Sequence, residues 1–162
     1  MSELKEIMTA APRFRLAVAE SLTCGHLQAR IGSESGASDF FSGGVTAYSL
    51  DQKVALLSVE REVASAVDCV SDEVARQMAR GVCKLFGSDI GAATTGYAEP
   101  DSARGVKTPY ACWALARREG NGGWTYRSGR IVCPGLERTR VQMTVAQVVY
   151  AELPSFVREA RG

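Results

Sequence analysis

At 162 residues the chain is long enough for one domain to bury a core without disulfide or metal staples. Hydrophobic residues make up 46% and charged residues 23%, the proportions of an ordinary globular protein. A net charge of +1, with both signs interspersed and no basic stripe, excludes nucleic acid as the default partner, and no apolar run reaches membrane-spanning length.

Ser2 to Ala11 predicts a short helix capped by Ser2 and stopped by Pro12. Phe14 to Ala19 is short, apolar and bounded, as a buried strand should be. Leu22 to Ile31 has helical spacing, and Gly32 is a natural stop. Phe40 to Ser49 predicts a strand bent or bulged at Gly43-Gly44. Ser49 then opens a helix, with Gln52 three places on as in a capping box and Val54, Leu57 and Val59 as its buried face.

Ser71 opens the clearest helix. Asp72 and Glu73 suit the positive end of its dipole, Val74, Met78, Val82 and Leu85 recur at helical steps, and Gly87 ends it. Ile90 to Thr94 predicts a buried strand that breaks at Gly96, followed by a polar loop from Tyr97 to Thr108. Tyr110 to Arg117 and Trp124 to Val132 predict two strands joined by the turn Glu119 to Gly123. Leu136 to Arg161 predicts a helix that Pro154 disturbs. Early strands separated by helices favour parallel pairing, and the late hairpin must be antiparallel. The expectation is a single α/β domain over residues 1–162, a three-layer α/β/α sandwich around a mixed, mostly parallel sheet.

Cys24, Cys69, Cys83, Cys112 and Cys133 are odd in number, scattered and without a Cys-x-x-Cys pair. Reduced thiols in a cytoplasmic protein are expected, and Met1 to Pro12 lacks the apolar centre of a signal peptide. No His, Cys and carboxylate cluster has ligand spacing, so no metal is expected.

Three segments carry chemistry. Ser21 falls where the first strand hands over to a helix, the usual ligand crevice of an α/β sheet, beside N–H groups suited to an oxyanion. Capping by Ser21 or Thr23 accounts for the same position. His26 is the only histidine, and no acid stands ready to orient it for a Ser-His-Asp triad. Lys53 lies in the first turn of its helix, where the dipole and partial burial both lower its pKa, so it can serve as a base toward a serine. A solvated lysine and a packing Tyr48 account for that segment equally well. Thr94-Thr95-Gly96 supplies two hydroxyls and a flexible joint to the same crevice.

Taken together, the segments resemble the CinA C-terminal domain family, whose stand-alone members include nicotinamide-nucleotide amidohydrolases. The family's alanine-glutamate-serine-cysteine-threonine-glycine-glycine motif is similar to Ala19-Glu20-Ser21-Leu22-Thr23-Cys24-Gly25. Its Gly-Gly pair, alanine-tyrosine-serine and helix-starting lysine are similar to Gly43-Gly44, Ala47-Tyr48-Ser49 and Lys53. Its valine-serine-acidic helix start resembles Val70 to Ala75, and its threonine-glycine loop resembles Thr95 to Pro100.

The resemblance implies deamidation of nicotinamide mononucleotide to nicotinic acid mononucleotide and ammonia, with no cofactor. It casts Ser21 as nucleophile, assisted by Lys53 and Tyr48, and Thr23, Cys24, Gly25, Gly44, Thr95 and Gly96 as substrate-binding positions. It also implies a small-molecule nucleotide as partner and a homo-oligomer, taken as a dimer. Departures suggest two other outcomes, a serine amidohydrolase with a shifted substrate or a non-catalytic ligand-binding or interaction protein. Cys24 replaces a glycine, where a side chain crowds the ligand or bars a positive φ. Glu99 adds a negative charge that repels phosphate, and Tyr110 replaces a strand-opening glycine. Gly135-Leu136-Glu137-Arg138 stands for a glycine-acidic-arginine pattern, so the family's arginine is expected to be displaced or lost.

Overall fold

A computed structural model describes residues 1–162. The helices are α1 (Glu3–Thr9), α2 (His26–Gly32), α3 (Leu50–Leu57), α4 (Arg61–Ser65), α5 (Asp72–Phe86) and α6 (Arg138–Glu159). The strands are β1 (Leu16–Glu20), β2 (Phe41–Thr46), β3 (Ile90–Tyr97), β4 (Tyr110–Arg118) and β5 (Trp124–Val132). They form one sheet in the order β2-β1-β3-β4-β5. β1 runs parallel to both β2 and β3, and the β3–β4 and β4–β5 pairs are antiparallel. The register slips between Leu16 and Ala17, which pair with Phe41 and Gly43, so β2 is bulged beside its glycines.

The two-residue period of the strands divides the core. Leu16, Val18, Ile90, Ala92, Trp113 and Leu115 face α1, α2 and α6. Ala17, Ala19, Ala93, Cys112, Ala114 and Ala116 face α3, α4 and α5. The second face is built of small side chains, so α5 lies close on it; a Cβ added at Gly91 would stand 2.1 Å from the carbonyl oxygen of Ala79. Val74, Met78 and Val82 of α5 are fully buried there, each contributing roughly 1.5–3 kcal/mol of transfer free energy.

Several elements differ from expectation. Leu85 is 47% exposed, because the buried stripe of α5 turns through Ala75, Met78, Ala79, Val82 and Cys83 instead. The buried face of α3 is Lys53 and Leu57, with Val54 only half-buried. β3 runs on through Gly96 to Tyr97, because β4 pairs with it along that length. α6 runs through Pro154 to Glu159. α4 is a short helix with no counterpart in the sequence reading. No helix is long and apolar enough to cross a membrane.

The topology locates the crevice. β1 connects to β2 through α2 on one face, and β2 connects to β3 through α3, α4 and α5 on the other. β1 is therefore the switch point, and the space beyond its carboxyl end lies between the two connections.

Candidate active site

Ser21 follows β1 directly. Its N–H donates to the carbonyl of Thr94 in the middle of β3, and the N–H of Ala47, just past β2, donates to the carbonyl of Glu20. Ser21 is 6% exposed. The helix expected from Leu22 begins only at His26, after a tight turn in which Cys24 has φ 46° and Gly25 φ 99°. The left-handed backbone therefore accepts the cysteine, which is exposed and does not line the cavity described below.

Neither hydroxyl in this turn caps α2. The buried carboxylate of Glu20 does so, receiving the N–H of Leu27 at 2.8 Å and of Gln28 at 3.0 Å. Thr23 Oγ1 lies 2.7 Å from Thr94 Oγ1 and is fully buried. The first N–H groups of α2 are thus taken, whereas those of Leu22, Thr23 and Gly25 meet no acceptor in the protein.

α3 starts at the Ser49 cap, whose hydroxyl accepts the N–H of Gln52. Its first turn carries Lys53 inward until the side chain is 1% exposed. Lys53 Nζ stands 2.9 Å from Ser21 Oγ and donates to the carbonyl of Tyr48 at 2.8 Å. Burial holds its pKa below the ordinary lysine range, against the opposing fields of Cys69 and Asp68. No carboxylate pairs with this amine. A neutral amine beside a hydroxyl can take the hydroxyl proton, which a solvated ammonium cannot.

The pair opens into a cavity of about 650 Å³. Thr95 and Gly96 line it, with Thr95 Oγ1 donating to the carbonyl of Cys69 at 2.6 Å. Thr23, Cys24, Gly25 and Gly44 do not line it. Gly44 instead leaves room for Val18 and Gln28, 2.6 and 2.7 Å from where a Cβ would stand. Tyr48 is 52% exposed and lines the cavity, but it is its carbonyl that meets Lys53; its hydroxyl accepts from Arg138 Nη2 at 2.8 Å.

Arg138, expected to be displaced or lost, comes to the cavity from the first turn of α6 and pairs with Glu99 at 2.8 Å. The charge of Glu99 is therefore matched. Tyr110 lies outside the lining and packs edge-on against Tyr97 at 5.4 Å. Asp68 and Cys69 also reach the wall, with φ 49° and 63°. Left-handed non-glycine residues between two helices leave no periodic mark, so nothing in the sequence pointed to them. No group of three or more His, Cys, Asp or Glu side chains is placed to hold a metal ion.

A three-layer α/β/α domain with a serine and a buried lysine meeting at its switch point defines the class of protein. The sequence model of the CinA C-terminal domain matches residues 2–157. The chain belongs to that family. It is 35% identical over 156 residues to a CinA-like protein of Chlorobium limicola, a match spanning 96% of this chain and 36% of that protein. It is 50% identical over 91 residues to a putative competence-damage inducible protein of Moorella thermoacetica, covering 56% of this chain and 22% of the relative. The chain thus spans about a third or less of these relatives' length. Among solved structures, the competence damage-inducible protein A (ComA) of Klebsiella pneumoniae superposes with TM-score 0.82 at 26% identity, over 94% of this chain and 91% of that one.

Proposed function

We propose that the chain is a serine amidohydrolase that converts nicotinamide mononucleotide and water to nicotinic acid mononucleotide and ammonia. The observation that carries this reading is the 2.9 Å contact between Ser21 Oγ and the buried, uncompensated amine of Lys53 at the floor of the cavity.

Lys53 accepts the Ser21 proton as Oγ attacks the carboxamide carbon, forming a tetrahedral oxyanion. The free N–H group of Leu22, which lines the cavity next to the nucleophile, is the donor available to that oxyanion. Collapse breaks the C–N bond, Lys53 returns its proton to the departing nitrogen, and ammonia leaves. Water then attacks the acyl-serine with Lys53 again as base, releasing the carboxylate and restoring Ser21. The Tyr48 carbonyl fixes the amine by accepting its hydrogen bond, and the Tyr48 hydroxyl belongs to substrate placement through Arg138.

The test is ammonia release from nicotinamide mononucleotide by the pure protein, alongside Ser21→Ala and Lys53→Ala. Release abolished in both variants supports the reading. Saturable nucleotide binding without release points to a non-catalytic binding protein. Release from other amides alone points to a shifted substrate.

A further inference from the structure

The cavity holds two guanidinium groups, and their pairing is unequal. Arg104 is held twice, its Nε 2.5 Å from Asp68 and its Nη1 2.6 Å from Asp101. Asp68 is fixed in turn by the Tyr97 hydroxyl at 2.9 Å. Arg138 meets a single carboxylate, that of Glu99, and Glu99 makes no other side-chain contact of this kind. Glu99 is 60% exposed along its side chain. One rotation of Glu99 therefore leaves Arg138 without a carboxylate, held only by the Tyr48 hydroxyl, whereas Arg104 must give up two carboxylates.

Tyr48 sets the distance from this arginine to the nucleophile. Its carbonyl receives Lys53, beside Ser21, and its hydroxyl meets Arg138, so one tyrosine spans from the base to the arginine. A molecule that touches both must keep its amide and its anion apart by a spacer of at least that length. A mononucleotide, with a ring and a sugar between carboxamide and phosphate, has that form.

We propose that Glu99 is a specificity-determining residue, an internal competitor that holds Arg138 until the phosphate monoester of the substrate displaces it. The inference rests on the amidohydrolase reading of the same cavity. An exposed single ion pair is a weak contact, screened by water on one side. A phosphate offers up to two charges and three acceptor oxygens to the planar fork of an arginine, and so wins the exchange. An amide without an anion has nothing to exchange for Glu99 and gains nothing from Arg138. Arg138 thus selects for a phosphorylated amide, and Glu99 narrows that preference, because only the phosphorylated substrate has to displace it.

The experiment compares wild type and Glu99→Gln on nicotinamide mononucleotide and on its unphosphorylated riboside. Calorimetric titration with inorganic phosphate is run on both proteins and on Arg138→Gln. In E99Q the KM for the mononucleotide falls roughly three- to tenfold, while that for the riboside moves less than about twofold. Phosphate affinity rises in the same proportion in E99Q and is lost in R138Q. Equal KM changes for the two amides, or unaltered phosphate affinity in E99Q, overturn the proposal. A wild type that hydrolyses neither amide overturns the amidohydrolase reading alone, and the phosphate titration then still decides what Glu99 does.

Discussion

Gly81 lies so close to Leu57 that a Cβ added to the glycine would stand 2.0 Å from the leucine's carbonyl oxygen. Gly81 is in the middle of α5, where alanine ordinarily stabilises a helix by about 1 kcal/mol. Here the close approach to α3 reverses the sign. Leu57 and Lys53 are one turn apart on the same buried stripe, so pushing α3 outward at Leu57 also moves the amine. Gly81→Ala is expected to destabilise the fold by about 2–3 kcal/mol and to lower kcat at temperatures where it remains folded. Urea unfolding and ammonia release measured on the same preparation check both effects, and an unchanged kcat in a folded G81A would detach the helix contact from the site.

Burial lowers the pKa of Lys53, and the sign of the pH dependence follows. The neutral amine is the base, so kcat/KM rises with pH up to the folded pKa and levels off above it. That plateau begins below the ordinary lysine value of about 10.5. Lys53→Arg stays charged throughout and is expected to be inactive at every pH. Ammonia release followed from about pH 6 upward tests this, and activity retained by Lys53→Arg, or a wild-type profile that falls as pH rises toward about 9, removes Lys53 as the base.

The parts of this site that the sequence revealed are those next to regular elements. Ser21 and Lys53 sit at the end of a strand and the start of a helix, and the apolar pattern located both boundaries closely enough to bring them together. Arg138 is displaced in spacing from the preceding glycine but not lost, since α6 delivers it to the cavity. The start of α2 departs from expectation for a different reason. Ser21 and Thr23 are residues that favour caps, but a carboxylate from the preceding strand reaches over the turn and takes the same donors. Side chains that bridge a turn have no fixed spacing, and periodicity cannot find them. Leu85 shows the converse error, since helical spacing alone does not say which of several apolar rows is buried, and here Ala75, Ala79 and Cys83 take that place.

The lysine that serves the chemistry costs the fold stability. An amine buried without a carboxylate partner binds its proton less readily in the folded chain than in the unfolded one. Between the lowered folded pKa and the ordinary value, the unfolded state holds more protons, so stability rises with pH through that window. Lys53→Met keeps the volume and removes the charge. It is expected to abolish ammonia release and to stabilise the protein by about 1 kcal/mol near pH 7, after loss of the bonds to Ser21 and Tyr48. The difference in melting temperature between variant and wild type should shrink as pH approaches the ordinary lysine range. A K53M protein less stable than wild type at pH 7 would mean that those hydrogen bonds outweigh desolvation.

Glu20 gives the last prediction, because it joins the sheet to the turn that carries the nucleophile. Its two oxygens accept the N–H groups of Leu27 and Gln28, and its backbone carbonyl accepts the N–H of Ala47 beside Tyr48. Glu20→Gln preserves the length but offers only one good acceptor, and its NH2 group then faces a backbone donor in a buried place. One buried N–H is left unsatisfied, at a cost of about 1–3 kcal/mol. The start of α2 is then free to move, and with it the turn from Ser21 to Gly25. Glu20→Gln is therefore expected to lower both the unfolding free energy and kcat, whereas Glu20→Asp, which keeps both acceptors but falls one methylene short, loses less of each if the turn follows it. Hydrogen exchange at the amides of Leu27 and Gln28 reads the cap directly. Protection that survives in E20Q would show that these donors are held by something other than the carboxylate.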